Sequence, residues 1–296
     1  MAVLSARPRL ALKKIVVPTD FSPASEVALQ YAIAIARHHG SRIHLVHAVA
    51  PVSHAELWQA IASRKQEEEF AKADQTLRRE AEKCGEVECS QWLLTGTPLD
   101  VVERLVSFDQ VDLVVLGTQA GKGFRKLATG AAAEHFFRHV HCAVLAIGPL
   151  VTGWHPVWEP KRILLATDLQ SDEAMAVKCA ALLAREHEAE LALLHVATPA
   201  AAPFPGDQEL VGRPYFQSRL RALLSHKPEL EYPAEFWVEF NKDPVAEIVR
   251  VAKDREIDLI VLSVHREEPW GFHFVHEAYR IVAEALCPVL ITQRRF

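Results

Sequence analysis

The sequence predicts an α/β protein built as a tandem of two like domains, each an open parallel sheet flanked by helices. Three observations lead there. The chain repeats itself once, short β-branched runs alternate with helical stretches inside each repeat, and the strand runs are continuously apolar, as expected for parallel strands covered on both faces. A length of 296 residues, 50% hydrophobic and 24% charged, suits two cores of ordinary size and excludes a disordered or collagenous chain.

The repeat is read from four blocks. Lys14-Ile15-Val16-Val17-Pro18-Thr19-Asp20 returns as Arg162-Ile163-Leu164-Leu165-Ala166-Thr167-Asp168 at an offset of 148, and Leu45-Val46-His47 returns as Leu193-Leu194-His195 at the same offset. Asp112-Leu113-Val114-Val115-Leu116 returns as Asp258-Leu259-Ile260-Val261-Leu262 at 146, and Cys142-Ala143-Val144-Leu145 as Cys287-Pro288-Val289-Leu290 at 145. Order and spacing are kept, so the expected domains are 1–148 and 161–296. The stretch Gly148–Pro160 concentrates three prolines and two glycines, which resist helix, and residues 149–160 read as the linker. Trp154 and Trp158 within it are expected to anchor packing between the domains.

The elements of the first repeat follow in order. Ile15 to Pro18 is a strand; Ser22 caps a helix with Pro23 at its first position and Gly40 as its C′ residue. Ile43 to Val49 is the second strand. Ala55 to Cys84 is a long amphipathic helix with Phe70, Ala73, Leu77 and Ala81 on one stripe. Trp92 to Leu94 is the third strand, Thr97-Pro98 opens another helix, Leu113 to Leu116 is the fourth strand, and Ala143 to Ile147 the fifth after a last helix. Right-handed crossovers between such strands place a ligand beyond their carboxyl ends, at the switch point.

Charge and composition narrow the function. Thirty-three Lys plus Arg against 38 Asp plus Glu give a net charge of -5, which offers no broad cationic field to nucleic acid or an anionic membrane. No uninterrupted apolar run approaches a bilayer span. Five scattered cysteines suit a reducing compartment and read as small core hydrophobes, so the expected location is the cytoplasm.

Four stretches together resemble the universal stress protein family: Pro18-Thr19-Asp20-Phe21-Ser22 at a strand end, Leu45-Val46-His47, the loop Gly117-Thr118-Gln119-Ala120-Gly121, and Gly130-Ala131-Ala132-Ala133-Glu134 leading to Cys142-Ala143-Val144-Leu145. The resemblance covers nearly the whole chain twice and implies two Rossmann-like, adenine nucleotide alpha hydrolase-like domains. Members that bind ATP carry a GxxG, nine residues, then Gly-Ser or Gly-Thr after the fourth strand. Gly117 and Gly130 match the outer glycines, whereas Ala120 replaces the second glycine and Ala131 the hydroxyl residue. What the resemblance implies is a nucleoside pocket lined by Pro18, Thr19 and Asp20, with Ala48 and Leu116 beside the base or sugar. The phosphates would meet Gly117, Gly121, Gly130 and the amides of Ala131 and Ala132.

Physical chemistry sets what the departures cost. Helix N-terminal amides still offer donors to phosphate, and a lost hydroxyl contact is worth about 0.5 to 1.5 kcal/mol, or up to about 3 to a charged group. Thr129 stands one position earlier, and Lys122, Arg125 and Lys126 place three cations in the loop. Against this stands a purely structural reading, in which Gly117, Gly121 and Gly123 make a tight turn, the cations form a solvated face and Asp20 is a helix capper. In the second repeat Ala166 replaces Pro18, and Glu267, Glu268 and Pro269 stand in the loop Ser263–Trp270. Val275 and His276 align with Gly130 and Ala131. That domain is expected to have lost phosphate binding and to serve as a scaffold or regulatory half.

Other chemistries fit less well. The run from Gly117 to Gly123 is one residue short of a P-loop and lacks its Ser or Thr, and no dinucleotide fingerprint follows the first strand. His135 and His139 share a helix face near His141 and Cys142, and His273 and His276 are three apart, but no Cys/His ligand set completes them. His47 and His195 recur at one strand position, as satisfied core imidazoles do, and no GxSxG elbow supports a Ser-His-Asp triad. The expected function is therefore binding of ATP, with or without Mg, in the first domain, regulating interaction with an unidentified protein partner. The alternatives are a nucleotide-free scaffold or a slow ATP hydrolase, and no residue is assigned a catalytic role. Because universal stress proteins commonly pair through their last strand, the resemblance also implies an intrachain pseudo-dimer of Ala143–Ile147 with Val289–Thr292, a further homodimer being left open.

Overall fold

The computed structural model describes residues 10–50, 60–118, 140–152, 157–169, 173–198, 211–225, 232–264 and 271–293, without side chains for 60–66 and 271–276. The chain divides into two compact units, one spanning Leu12–Trp158 and one built on Glu159–Phe296. No described helix is long and apolar enough to cross a membrane.

The first unit runs β1 (Lys14–Pro18), α1 (Pro23–His39), β2 (Arg42–Val49), α2 (Ala60–Glu82), β3 (Cys89–Thr95), α3 (Pro98–Asp109), β4 (Leu113–Gly117) and β5 (Ala143–Ile147). Its strands lie in the order β3-β2-β1-β4-β5, all parallel, so the winding reverses between β1 and β4. Ile15, opposite both Ile43 and Leu113, sets the central register. Asp112 locks the start of that register: its carboxylate accepts the amides of Lys13 and Lys14 at 2.8 and 3.1 Å.

The second unit repeats the plan with β6 (Arg162–Ala166), α4 (Ala174–His187), β7 (Glu190–Ala197), α5 (Arg213–Ser225), β8 (Ala234–Phe240), α6 (Pro244–Asp254), β9 (Leu259–Val264), α7 (Gly271–Glu284) and β10 (Val289–Gln293). Its order is β10-β9-β6-β7-β8, again parallel, with the reversal between β6 and β9. Asp258, the repeat of Asp112, accepts the amides of Lys161 and Arg162 at 2.8 Å each.

Local chemistry accounts for the boundaries. Ser22 accepts the Ser25 amide ahead of Pro23, and Gly40 closes α1 in the left-handed region at φ 67°, as expected from its lack of Cβ. Thr97 caps α3 by accepting the Asp100 amide, again before a proline. One expectation is corrected. β3 covers Cys89–Thr95, not only Trp92–Leu94, because its backbone pairs with β2 at every position from Ile43 to Val49. As the outer strand of its unit it opens with the polar pair Ser90-Gln91, both exposed, which hid its first half from a search for apolar runs. In the second unit, Val275 and His276 lie inside α7. Trp158 is buried and packs edge-on against Tyr31 of α1, with ring centroids 6.2 Å apart; Trp154 lies outside the described residues.

Candidate functional site

The carboxyl ends of β1 and β4 meet at the switch point of the first unit, where open parallel sheets take ligands. Pro18, Thr19, Asp20, Leu116 and Gly117 converge there, with Ala48 on the neighbouring β2. Gly121, Gly130, Ala131 and Ala132 lie outside the described residues, as do Lys122, Arg125 and Lys126.

Thr19 organises this end of the sheet. Its amide donates to the Val46 carbonyl at 2.8 Å, so β1 stays paired with β2 to its last residue. Its buried hydroxyl donates to Ser25 Oγ at 3.1 Å and accepts the Phe21 amide at 3.0 Å. Asp20 Oδ1 accepts the Ser22 amide at 3.1 Å, and Ser25 Oγ donates to the Ser22 carbonyl at 2.9 Å. These bonds turn the chain from strand to helix in four residues and hold Phe21 at φ 60°, a conformation disfavoured for a residue with a Cβ. Phe21 in turn stacks on His47 at 4.3 Å, and His47 Nδ1 donates to the Thr19 carbonyl at 2.8 Å. His47 is thus the satisfied structural imidazole that its position suggests.

Gly117 has a definite steric reason. A Cβ built there would lie 2.2 Å from the Ala24 carbonyl oxygen and 2.5 Å from its carbon. The first turn of α1 therefore rests directly on the end of β4, and only glycine admits that approach. Ala48 remains half-buried and Asp20 half-buried, whereas Pro18, Thr19, Leu116 and Gly117 are buried. The exposed part of this strand end is the region of Asp20 and Ala48.

The second unit builds the same turn with different side chains. Thr167 donates its hydroxyl to Glu173, which takes the place of Ser25 and is buried at the N-cap of α4. Leu169 repeats the left-handed conformation of Phe21 at φ 59°, and its carbonyl accepts Arg219 of α5 at 2.5 Å. His195 repeats His47: its Nδ1 donates to the Thr167 carbonyl at 2.9 Å, while its ring packs on Phe216 at 4.6 Å. Burial pushes the His195 pKa below the ordinary 6.5. Val196 stands at the position of Ala48 and is buried. Where the first unit has a serine and an alanine, the second has a carboxyl group and a branched side chain, with α5 packed over the end of its sheet.

Sequence reasoning named Thr19 and Asp20 but missed Ser25 and Glu173, which differ between repeats at the residue that faces the strand-end threonine. The signal available was that substitution itself, small neutral against acidic, at the offset of 148.

Comparison with known proteins agrees with the geometry. The universal stress protein family profile matches residues 11–148 and again 159–293. Universal stress protein MJ0531 of Methanocaldococcus jannaschii is 30% identical over 140 residues, 46% of this chain and 81% of that protein. A universal stress protein structure from Archaeoglobus fulgidus covers 95% of this chain and 96% of its own at a TM-score of 0.67 and 14% identity. One from Pseudomonas aeruginosa, described as a putative universal stress protein, covers 96% and 94% at a TM-score of 0.56 and 15% identity. With two parallel sheets, two threonine-centred strand ends and two matched segments, the chain belongs to the universal stress protein family, as a tandem of two such domains.

Proposed function

We propose that the first domain binds an adenine nucleotide, ATP in the first instance, at the carboxyl ends of β1 and β4, and that occupancy regulates contact with a protein partner in the cytoplasm. The observation that carries this reading is the difference between the two strand ends. At the first, the residue facing the strand-end threonine is the uncharged Ser25 and Ala48 is half-buried; at the second, these two places hold the carboxyl group of Glu173 and the buried Val196. The Glu173 carboxyl group at the N-terminus of α4 adds an acidic group to the second strand end that the first lacks at Ser25, which disfavours an anionic ligand there.

In this reading Asp20, oriented by the Ser22 amide, meets the ribose or base edge, and Pro18, Ala48 and Leu116 supply the apolar wall. Gly121, Gly130, Ala131 and Ala132 are the proposed phosphate contacts, and Mg accompanies the phosphates. Gly117 lets α1 pack on the end of β4, and its backbone is a further proposed phosphate contact. The second domain is the scaffold or regulatory half. A reducing compartment is supported by five cysteines joined by no disulfide, four of them buried.

The test is thermal denaturation of the whole chain with ATP and Mg. A ligand at 100 times its dissociation constant adds about 2.7 kcal/mol of stability, an upward shift in Tm of a few degrees. Asp20→Ala abolishes the shift. No shift at millimolar ATP contradicts the reading and leaves a nucleotide-free scaffold.

A further inference from the structure

At the opposite end of the first sheet, where the strands begin, stands a polar constellation that the switch-point site does not use. Ser90 of β3 is exposed, and its Oγ lies 2.6 Å from His44 Nδ1. His44 is buried on β2, with a side chain only 7% exposed, and its Nε2 faces Asp109 Oδ2 at 3.0 Å. Asp109, the last residue of α3, is held in turn by Lys14, whose ammonium donates to its carboxylate and, at 2.6 Å, to its carbonyl.

The proton positions follow from a fourth group. The Trp92 indole N–H can only donate, and it points at His44 Nδ1 from 2.9 Å and at Ser90 Oγ from 3.2 Å. Nδ1 therefore carries the lone pair and Nε2 the proton, directed toward Asp109; the Ser90 hydroxyl, which also lies 3.4 Å from the Ile43 carbonyl, donates to that lone pair when the indole N–H turns to Ser90 Oγ. The Nε2 contact is electrostatic, off the axis of a linear hydrogen bond, so Asp109 acts on the imidazole mainly through its charge. Burial pushes the His44 pKa below 6.5, with Asp109 and Glu88 opposing and Lys14 and Arg42 reinforcing that direction. Lys14 holds the Asp109 carboxyl below its usual range. At neutral pH the arrangement is a hydroxyl, a neutral imidazole base and a carboxylate.

We infer that Ser90, His44 and Asp109 form a nucleophilic triad in which Ser90 accepts an acyl group from a small carboxylic ester. Ser90 Oγ attacks the ester carbonyl as its proton passes to His44 Nδ1, and the indole N–H of Trp92 turns to the developing negative charge. The tetrahedral adduct collapses, the alkoxide leaves with the proton from His44, and Ser90 holds the acyl group. Water then attacks with His44 again as base, releasing the carboxylic acid and restoring the serine. The second domain lacks the set: Ala192, Glu235 and Arg255 occupy the corresponding places, Arg255 lies over Trp237 at 4.9 Å, and a cleft of about 570 Å³ remains beside them.

The whole chain is treated with a fluorophosphonate probe, and with p-nitrophenyl acetate as the ester. The expected result is one adduct per chain on Ser90, located by peptide mass spectrometry, and one p-nitrophenolate released per chain in a burst while the acetyl group stays on Ser90. Ser90→Ala removes both, and His44→Gln slows labelling by about 100-fold or more. The rate rises with pH through a midpoint below 6.5. Because His44→Gln removes a buried ring and can disturb folding, Asp109→Asn is the second variant. It leaves Ser90 and His44 in place and moves the midpoint lower, since a charge that favours protonated His44 is gone. The inference is overturned if Ser90 stays unlabelled in the folded chain, if Cys89 or another residue takes the probe, or if His44→Gln labels as fast as the parent.

Discussion

Single atoms decide how the first strand end is built. Ala24 packs on Gly117 so closely that Gly117→Ala must push α1 off the sheet, since the clash is with backbone and no side chain can rotate away. The expected loss is about 1 to 3 kcal/mol, read as a lower urea midpoint at unchanged slope; an unchanged midpoint would show that the helix yields freely. The roles of Ser22 and Gly40 were legible in the sequence, because capping and positive φ are written in residue type. The meeting of Ser90, His44 and Asp109 was not, since it joins β2, β3 and α3 and depends on register. Nothing in a window around His44 distinguishes it from an ordinary strand residue.

Among elements, α1 shows how far local rules reach. Its cap, first-turn proline and terminal glycine set both of its ends, and its alanine-rich face lets it lie against β1 and β4. Ser22→Ala removes the acceptor for the Ser25 amide and is expected to cost about 1 kcal/mol, with the same measurement as check. Loss of nucleotide affinity beyond that of stability would place the turn in the site itself. β3 was half legible: apolar Trp92 to Leu94 stood out, whereas Cys89 to Gln91 are held by pairing with β2 and carry no apolar signature.

Over the whole molecule, the tandem repeat made the architecture readable. Four blocks in one order fixed which strands are equivalent, and Asp112 and Asp258 prove to clamp equivalent strand starts. The structural difference between the two strand ends was only partly readable, because Ser25 against Glu173 and Ala48 against Val196 lie in no single motif. The repeats also share a pH response. His44 and His195 both have imidazoles whose folded pKa lies below 6.5, so the unfolded chain binds protons that the folded one refuses. Their contribution is full above pH 6.5 and is lost as pH falls from there through the depressed folded values. Tm is expected to be lower at pH 5.5 than at 7.5, and His44→Gln with His195→Gln should flatten that dependence; a Tm that rises on acidification would contradict it.

The central claim is that one of two sibling strand ends takes a nucleotide. Its most direct test is the stoichiometry of ATP bound to the whole chain at saturation, by equilibrium dialysis, in the parent and in Asp20→Ala and Asp168→Ala. The account predicts one nucleotide per chain, lost with Asp20→Ala and kept with Asp168→Ala. Two nucleotides per chain, none, or binding that survives in Asp20→Ala and disappears in Asp168→Ala, would contradict it.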